Sequence, residues 1–164
     1  MKKIIVYYSM CGNTEYAAEK IAEATGADVL RIAPDKAYPD KGAKKFLWGG
    51  KSAVFGNRPK LLPYDFKAEE YDLIIFGTPV WASNITPPLR TFIFDNKDAL
   101  RGKKIALFTC FSGGGADKAS EKLKKLLEIQ SCEAELVLVD PKDKPSEENE
   151  EKLKNFCESI NGIN

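Results

Sequence analysis

The sequence predicts an α/β fold: a doubly wound parallel sheet with helices on both faces, in three layers. Two observations predict it. Five short apolar runs rich in β-branched residues recur along the chain, and amphipathic helical patterns lie between them. Strands that alternate with helices form right-handed crossovers and therefore a parallel sheet. The length of 164 residues suits one domain, which we expect to span residues 1–164.

The five predicted strands differ in polarity. Only Ala27–Ala33, which contains Asp28 and Arg31, mixes polar and apolar residues. The other four are nearly continuous in apolar character, which is typical of strands buried on both faces. The predicted strands are Lys3–Ser9, Ala27–Ala33, Tyr71–Thr78, Lys104–Phe111 and Ala134–Asp140.

Helical signals fall between these strands. Apolar residues at helical spacing predict helices over Thr14–Thr25 and Asp117–Ile129. The Pro87-Pro88 pair predicts a helix start, because the first helical residues need no N–H donor. Ser146 is a plausible N-cap for the last helix, since its hydroxyl can accept a bond from an N–H group of the first turn.

The segment from Pro34 to Lys67 interrupts this pattern with many turn-forming residues. Within it, Lys41–Phe55 is a possible helix that would place Phe46, Leu47, Trp48 and Phe55 near the core, with an interruption at Gly49-Gly50. Trp48 could also form a lid over a ligand. Ala33–Lys67 carries eight Lys or Arg residues and three Asp residues. This excess indicates either a solvated surface or a basic rim for anionic ligands or an acidic partner.

The composition excludes several classes of function. The 25 Lys and Arg residues nearly balance the 24 Asp and Glu residues, so no nucleic-acid partner is expected. The chain has no histidine, which excludes Ser-His-Asp and Cys-His catalysis and a His-based zinc site. Its four cysteines lie far apart and are typical of reduced thiols. No signal peptide or membrane span is evident, so we expect a cytoplasmic protein with no membrane partner.

The first candidate ligand loop follows the first predicted strand. In an open parallel sheet, ligands bind beyond the carboxyl ends of the strands, where the strand order reverses. Residues 9–14, Ser-Met-Cys-Gly-Asn-Thr, offer hydroxyls, an amide and the N–H groups of a helix N-terminus. Such a terminus attracts a phosphate without a basic side chain. The loop matches neither the Walker motif nor the dinucleotide-binding glycine motif. An ordinary capped turn is the alternative.

Two further loops follow the third and fourth predicted strands. Residues 77–84, Gly-Thr-Pro-Val-Trp-Ala-Ser-Asn, place Trp81 among small residues. There it could flank a flat aromatic ligand or simply cover the end of the core. Residues 110–115, Cys-Phe-Ser-Gly-Gly-Gly, contain three consecutive glycines. These let the backbone approach the polar edge of a ligand closely, although a flexible linker is also possible.

The three loops together resemble those of the flavodoxin-like FMN-binding proteins, in particular the short-chain flavodoxins. The resemblance covers essentially the whole chain and implies the strand order 2-1-3-4-5 with FMN as the cofactor. The first loop would hold the FMN phosphate, and the other two would border the isoalloxazine ring, with Asn84 or a backbone N–H near its N5 atom. The implied cofactor-binding residues are Ser9, Met10, Cys11, Gly12, Asn13, Thr14, Thr78, Pro79, Val80, Trp81, Ala82, Ser83, Asn84, Cys110, Phe111, Ser112, Gly113 and Gly114.

This sequence departs from the family pattern at two points. Cys11 stands where the pattern has Ser or Thr, so a hydroxyl donor is replaced by a weaker thiol donor, and we expect weakened phosphate binding. No glycine lies between Thr78 and Pro87. In the family, a peptide flip beside the flavin N5 atom, eased by glycine, stabilises the one-electron reduced flavin. Without glycine, the positive-φ conformation costs about 1 kcal/mol or more. We therefore expect two-electron chemistry to be favoured over one-electron chemistry.

A nucleophilic role for Cys11, as in low-molecular-weight phosphatases, is excluded. Their C-x-x-x-x-x-R loop requires an arginine six residues after the cysteine to grip the oxyanion. Ala17 occupies that position here. Cys11 is therefore interpreted as a loop residue beside the phosphate.

Three functions remain open on this fold. The resemblance first implies an FMN electron carrier with a redox partner protein. The alternative is an FMN-dependent NAD(P)H:quinone-type oxidoreductase that passes hydride to a small electron acceptor. The third is a non-catalytic flavodoxin-like module. A net charge of +1 and the basic segment Ala33–Lys67 favour the reductase, whereas the small size and the lack of an evident substrate domain favour the carrier.

Overall fold

Five parallel strands form one sheet in the order β2-β1-β3-β4-β5, as predicted. The computed structural model describes residues 1–39 and 50–163. Within these ranges the strands are β1 (Lys3–Tyr7), β2 (Asp28–Arg31), β3 (Leu73–Pro79), β4 (Lys104–Phe111) and β5 (Ala134–Val139). The helices are α1 (Asn13–Thr25), α2 (helical residues 50–54), α3 (Pro87–Asp95), α4 (Lys97–Leu100), α5 (Ala116–Leu127) and α6 (Glu147–Gly162), with a 3₁₀ turn at Ala68–Glu70.

The central strands are buried on both faces, which explains their continuous apolar character. Successive side chains of a strand point to opposite faces. In β1, Ile5 therefore packs in one core, together with residues of α1 and α6. Its neighbour Ile4 packs in a second core, together with residues of α3 and α5. The sheet is the middle layer between two helical layers, and the predicted three-layer fold is confirmed.

Most element boundaries agree with the sequence prediction within a few residues. The first predicted strand ends at Tyr7 rather than Ser9, and the second is shortened to Asp28–Arg31. Ser146 is the N-cap of α6, since its hydroxyl oxygen accepts a hydrogen bond from the Asn149 N–H at 3.2 Å. In contrast, α1 has Gly12 at its N-cap, with a φ of 93° and no capping side chain.

The irregular segment after β2 is described only in part. Pro34 and Leu61 form an isolated antiparallel bridge that ties its two ends together. The described helical residues begin at residue 50, so the predicted interruption at Gly49-Gly50 stays a prediction. Phe55 was expected near the core but is 70% exposed, because it follows the end of α2 and faces outward. The predictions for Phe46, Leu47, Trp48 and Gly49 lie outside the described residues.

Across the two described ranges, no helix has both the length and the apolar character that a membrane crossing requires.

Gly77 provides a test of the packing between β3 and β4. It is the register partner of Phe108, and a Cβ added at Gly77 would overlap the Phe108 ring. We expect Gly77→Ala to lower the free energy of unfolding by about 1–3 kcal/mol, the usual range for overpacking a core. Urea denaturation followed by circular dichroism measures this change.

Gly113→Ala is the matched control for this substitution, because a Cβ at Gly113 would meet no atom within 4 Å. Equal midpoints for the two variants would show that the Phe108 ring moves aside freely and would contradict the packing argument.

Candidate functional site

A cavity of about 740 Å³ lies beyond the carboxyl ends of β1, β3 and β4. Its size is within the range of 300–1,000 Å³ that is typical of ligand sites. It opens at the β1/β3 boundary, where the strand order reverses and where ligands of open α/β sheets bind. The three loops singled out in the sequence form most of its wall.

All the predicted site residues line this cavity except Gly12, Thr78 and Asn84. Thr78 is fully buried, and its hydroxyl accepts a hydrogen bond from the Thr86 N–H at 3.2 Å. Asn84 is 7% exposed and bonds instead to Ala53 and Arg90. Gly12 is the N-cap of α1, with a φ of 93°. These three residues set the conformation of the wall, and the other predicted residues form its surface.

The first loop places the N-terminus of α1 at the cavity. The first turn of any helix has N–H groups without intrahelical acceptors. Here no side chain caps α1. The Ser9 hydroxyl oxygen accepts a hydrogen bond from the Gly12 N–H at 3.2 Å and holds the loop closed. The positive end of the helix dipole is therefore directed at the cavity.

Asn13 joins this loop to the segment after β5. Its Oδ1 atom accepts hydrogen bonds from the Lys142 N–H at 2.9 Å and from the Asp143 N–H at 3.2 Å. Its Nδ2 atom donates to Asp143 Oδ2 at 2.8 Å. The amide that was predicted to contact a phosphate thus fixes the position of a fourth loop.

A basic side chain lies close to the first loop, although the loop itself has none. A Cβ built on Gly12 would lie 2.7 Å from Lys142 Nζ. The ammonium group therefore rests against the outer side of the loop, where it adds positive potential to that of the helix N-terminus.

Cys110 at the end of β4 forms the cavity floor together with Thr14. Both are buried, with exposures of 3% and 1%. Burial raises the pKa of Cys110 to about 12, while a hydrogen bond with Thr14 opposes this increase in part. The thiol therefore stays protonated at neutral pH and presents an uncharged, polarisable surface to the cavity.

The second loop contains a two-residue hairpin turn. The Trp81 N–H donates to the Asn84 carbonyl and the Asn84 N–H donates to the Trp81 carbonyl, both at 3.0 Å. The residues between them, Ala82 and Ser83, have φ values of 49° and 57°. The absence of glycine was expected to disfavour positive φ in this loop, yet two consecutive residues adopt it. The turn is therefore strained, and the surrounding contacts hold it in place.

Trp81 both lines the cavity and covers the end of a core. Its ring makes edge-to-face contacts with Tyr8 and Tyr38, with centroid distances of 5.8 and 5.2 Å. Burial raises the pKa of Tyr8, so this phenol stays neutral. Trp81 alone of these three rings lines the cavity. Tyr8 and Tyr38 pack against it and hold its indole as an aromatic wall suited to a flat aromatic ligand.

The third loop is braced from two sides. At the start of α5, Gly115 has a φ of 87° and lies so close to Ser83 that a Cβ there would be 2.9 Å from the Ser83 Cα. Ser112 donates a hydrogen bond to Asp140 Oδ1 at 2.6 Å, and Lys144 contacts Asp140 Oδ2 at 2.9 Å. Like α1, α5 begins without a capping side chain. Two uncapped helix N-termini therefore meet at one cavity.

The loop after β5 also contributes to the cavity, which the sequence did not predict. Asp140, Asp143 and Lys144 line the cavity, together with Gly50 and Gly115. Only the loops after the first, third and fourth strands had been singled out, because the strand-order rule points to them. The sequence does contain a pattern that could have pointed to this loop. Two aspartates and two lysines lie within five residues after the last apolar strand.

The arrangement defines a class: a doubly wound α/β protein with a nucleotide-type site at the switch point of its sheet. A neutral loop with helix N–H groups suits a phosphate, and the aromatic wall and glycine-rich backbone suit a planar heterocycle. The model of one family, described as flavodoxin, matches residues 2–160. The chain therefore belongs to the flavodoxin family, as its sequence motifs indicated.

Solved structures of similar fold agree with this assignment. A flavoprotein from Lactobacillus acidophilus NCFM, in complex with FMN, is 21% identical over 87% of this chain and 95% of its own, with a TM-score of 0.71. A candidate flavoprotein from Bacteroides eggerthii DSM 20697 is 22% identical over 97% of both chains, with a TM-score of 0.76. The two-electron reduced flavodoxin of Megasphaera elsdenii is 22% identical over 98% and 99%, with a TM-score of 0.61.

The strained turn predicts an unusual stabilising substitution. A left-handed conformation costs a non-glycine residue about 1–2 kcal/mol, and glycine costs about 0.5–1 kcal/mol of extra chain entropy on folding. We expect Ala82→Gly to raise the free energy of unfolding by about 0.5–1 kcal/mol, measured by urea denaturation. Ala24→Gly, an exposed site in α1, should instead lose about 1 kcal/mol. A loss at both sites would contradict the strain.

Asp140 predicts a pH-dependent contribution to stability. Burial raises its pKa, but the hydrogen bonds from Ser112 and Lys144 outweigh burial and leave the pKa below its usual value. A carboxyl group with a depressed folded pKa stabilises the protein above its unfolded pKa of about 3.9. This contribution is lost as the pH falls through the folded value. Asp140→Asn should therefore be less stable than wild type at pH 7 by about 1–3 kcal/mol, with the difference closing in acid.

The measurement is urea denaturation of both proteins between neutral and acidic pH. The control is Asp98→Asn, whose side chain is 93% exposed and whose exposed ion pair should contribute at most about 1 kcal/mol. If the free energies of unfolding of wild type and Asp140→Asn differ by the same amount at every pH, the lowered pKa of Asp140 is refuted.

Proposed function

We propose that the protein binds FMN in this cavity and acts as an electron carrier between redox partner proteins. The observation that carries the proposal is the meeting of two uncapped helix N-termini with an aromatic wall at the switch point of a flavodoxin sheet. Membership of the flavodoxin family and the FMN-bound relative from Lactobacillus support the choice of cofactor.

The residues present fit the phosphate of FMN at the first loop. The Ser9 hydroxyl proton and the N–H groups at the start of α1 would be the donors, and Lys142 lies against the loop at Gly12. Donors fixed to the backbone need no rearrangement when the ligand arrives, so binding is preorganised. Cys11 provides a weaker donor than the family's hydroxyl.

The ring of FMN would lie between the second and third loops, whose lining residues suit it. Val80 and Trp81 provide apolar and aromatic surface on one side, and Phe111 with the backbone of Ser112–Gly114 provides the other. Bound FMN supplies the electron-transfer chemistry, and the protein sets its position and electrostatic surroundings. The polar groups of the wall hold the loops: Asp140 is bonded to Ser112 and Lys144, and Asp143 to Asn13.

This use of the charged wall residues favours a carrier over a reductase. A reductase that accepts hydride and passes it to a small molecule needs room for a second substrate and a group that delivers protons. In the described part of the chain, both carboxylates that line the cavity are engaged in loop contacts. Electron transfer to a partner protein requires neither a second substrate site nor a proton-delivering group. It requires only a flavin edge near the surface. The four cysteines form no disulfide, which supports a reducing compartment such as the cytoplasm.

The proposal predicts stoichiometric binding of one FMN per chain. Titration of the purified protein with FMN, followed by quenching of flavin fluorescence next to Trp81, measures the dissociation constant. Cys11→Ser restores a hydroxyl donor and should tighten binding about five-fold, the value of one additional hydrogen bond of about 1 kcal/mol. Cys132→Ser, at a partly buried site away from the cavity, should leave the constant unchanged.

Anaerobic reduction distinguishes the carrier from the reductase. We expect the FMN complex to be reduced by light with a sacrificial donor and reoxidised reversibly, and to react slowly with NADPH. Rapid bleaching by NADPH would establish the reductase instead. If the protein does not bind added FMN, both the carrier and the reductase are excluded, and the non-catalytic module is the remaining function.

A further inference from the structure

A second cavity, separate from the cofactor site, lies behind the hairpin turn of the second loop. Its volume is about 410 Å³, and it is bounded by α2, α3, α4 and α5. Its charged lining residues are Arg90, Lys97, Lys122 and Lys125, and none of the described residues that line it is acidic. We call it the basic pocket.

Arg90 at the base of this pocket is short of partners. Its Nη2 atom donates to the Ala53 carbonyl at 3.3 Å and to Asn84 Oδ1 at 2.9 Å, both uncharged acceptors. Its Nη1 atom is buried and, in the described part of the chain, has no hydrogen-bond partner. A buried, unsatisfied N–H group on a charged side chain is costly. Desolvation accordingly lowers the pKa of Arg90.

Gly56 lines the pocket beside the Arg90 guanidinium. A Cβ built on Gly56 would be 3.9 Å from Arg90 Nη1, an ordinary van der Waals contact. Because Nη1 is buried, an oxyanion reaches it only if the Arg90 side chain shifts toward the pocket. An oxyanion at this point can accept from the guanidinium, whose forked donors match the oxygen spacing of phosphate.

The three lysines add a positive field to the pocket mouth. Lys97 is paired with Glu128 at 2.6 Å, which leaves Lys122 and Lys125 as the main excess charge. Lys122 donates to the Ser83 carbonyl at 3.0 Å, a neutral acceptor that does not cancel its charge. Apolar walls from Ile85 and Leu126 limit solvent screening and strengthen the attraction of an anion.

We propose that the basic pocket is a binding site for a phosphate group, either inorganic phosphate or the phosphate of a small ester. The guanidinium of Arg90 and the ammonium groups of Lys122 and Lys125 are its recognition elements. The site is distinct from the cofactor cavity, and the proposal does not depend on FMN binding.

The hairpin turn separates the pocket from the cofactor cavity. Trp81, Ala82 and Ser83 line the cavity, whereas Arg90 and Lys122 hold Asn84 and Ser83 from the pocket side. An anion that draws these two cations must compete with those hydrogen bonds. Phosphate binding therefore perturbs the strained turn at the wall of the cofactor cavity.

Amide shifts in nuclear magnetic resonance spectra locate the site directly. Inorganic phosphate is titrated into the whole protein at constant ionic strength, with chloride as the replaced anion. We expect saturable shifts at Gly56, Lys122 and Lys125, together with Ser83 and Asn84. Shifts of residues 10–14 report phosphate at the cofactor loop, so the two sites are resolved in one experiment and either can fail alone.

Charge-removing variants test the recognition elements. Lys125→Gln should weaken phosphate binding at the basic pocket about five-fold, the effect of one partly screened charge. Lys118→Gln, an exposed residue of the same helix outside the pocket, is the matched control and should have no effect. Arg90→Gln should abolish the saturable amide shifts caused by phosphate. If this variant does not fold, the comparison of Lys125→Gln with Lys118→Gln still tests the proposal.

A parallel titration with adenosine monophosphate identifies the source of the phosphate. If adenosine monophosphate binds more tightly than inorganic phosphate and adds shifts at Val54 and Leu126, the site is assigned to a phosphate ester. If it binds more weakly, the site is assigned to the free phosphate ion. The proposal is overturned if the pocket amides do not shift with either probe, or if Lys125→Gln and Lys118→Gln weaken binding equally.

Discussion

The burial of the central strands on both faces is the constraint on which the rest of the structure depends. Ile5, Phe76 and Phe108 are fully inaccessible to solvent, so the strands have no exposed face that could carry chemistry. Polar groups are confined to the ends of the strands, and in a parallel sheet the carboxyl ends lie along a single edge. The helices α1 and α5, which follow β1 and β4, begin at this edge without capping side chains. The position and the polarity of the candidate site both follow from the packing of the sheet.

The loops at this edge support one another. Asn13 holds the segment after β5, Asp140 holds Ser112, and Gly115 allows α5 to approach Ser83. Each link joins parts of the chain that are distant in sequence. A site supported in this way stays in position without a ligand, and the strain at Ala82 and Ser83 can persist because the neighbouring contacts determine the turn.

The fold and most of the site could be predicted from the sequence because their signals are local. Continuous apolar runs identified the strands, and the loops at 9–14, 77–84 and 110–115 were recognisable as motifs. The side-chain directions of Thr78 and Asn84 could not be predicted from the sequence. They depend on tertiary contacts with Thr86, Ala53 and Arg90. The role of the loop after β5 was also hidden, because it arises from the long-range contact of Asn13 with Lys142 and Asp143.

The distribution of the cysteines has a practical consequence for spectroscopy. Burial raises the pKa of Cys110 to about 12, that of Cys132 to about 11, and also that of Cys157, so these thiols react slowly with maleimides. Cys11 is exposed at the mouth of the cavity. A maleimide label should therefore attach to Cys11 in the native sequence, and because this residue belongs to the proposed phosphate loop, the label should obstruct the cavity.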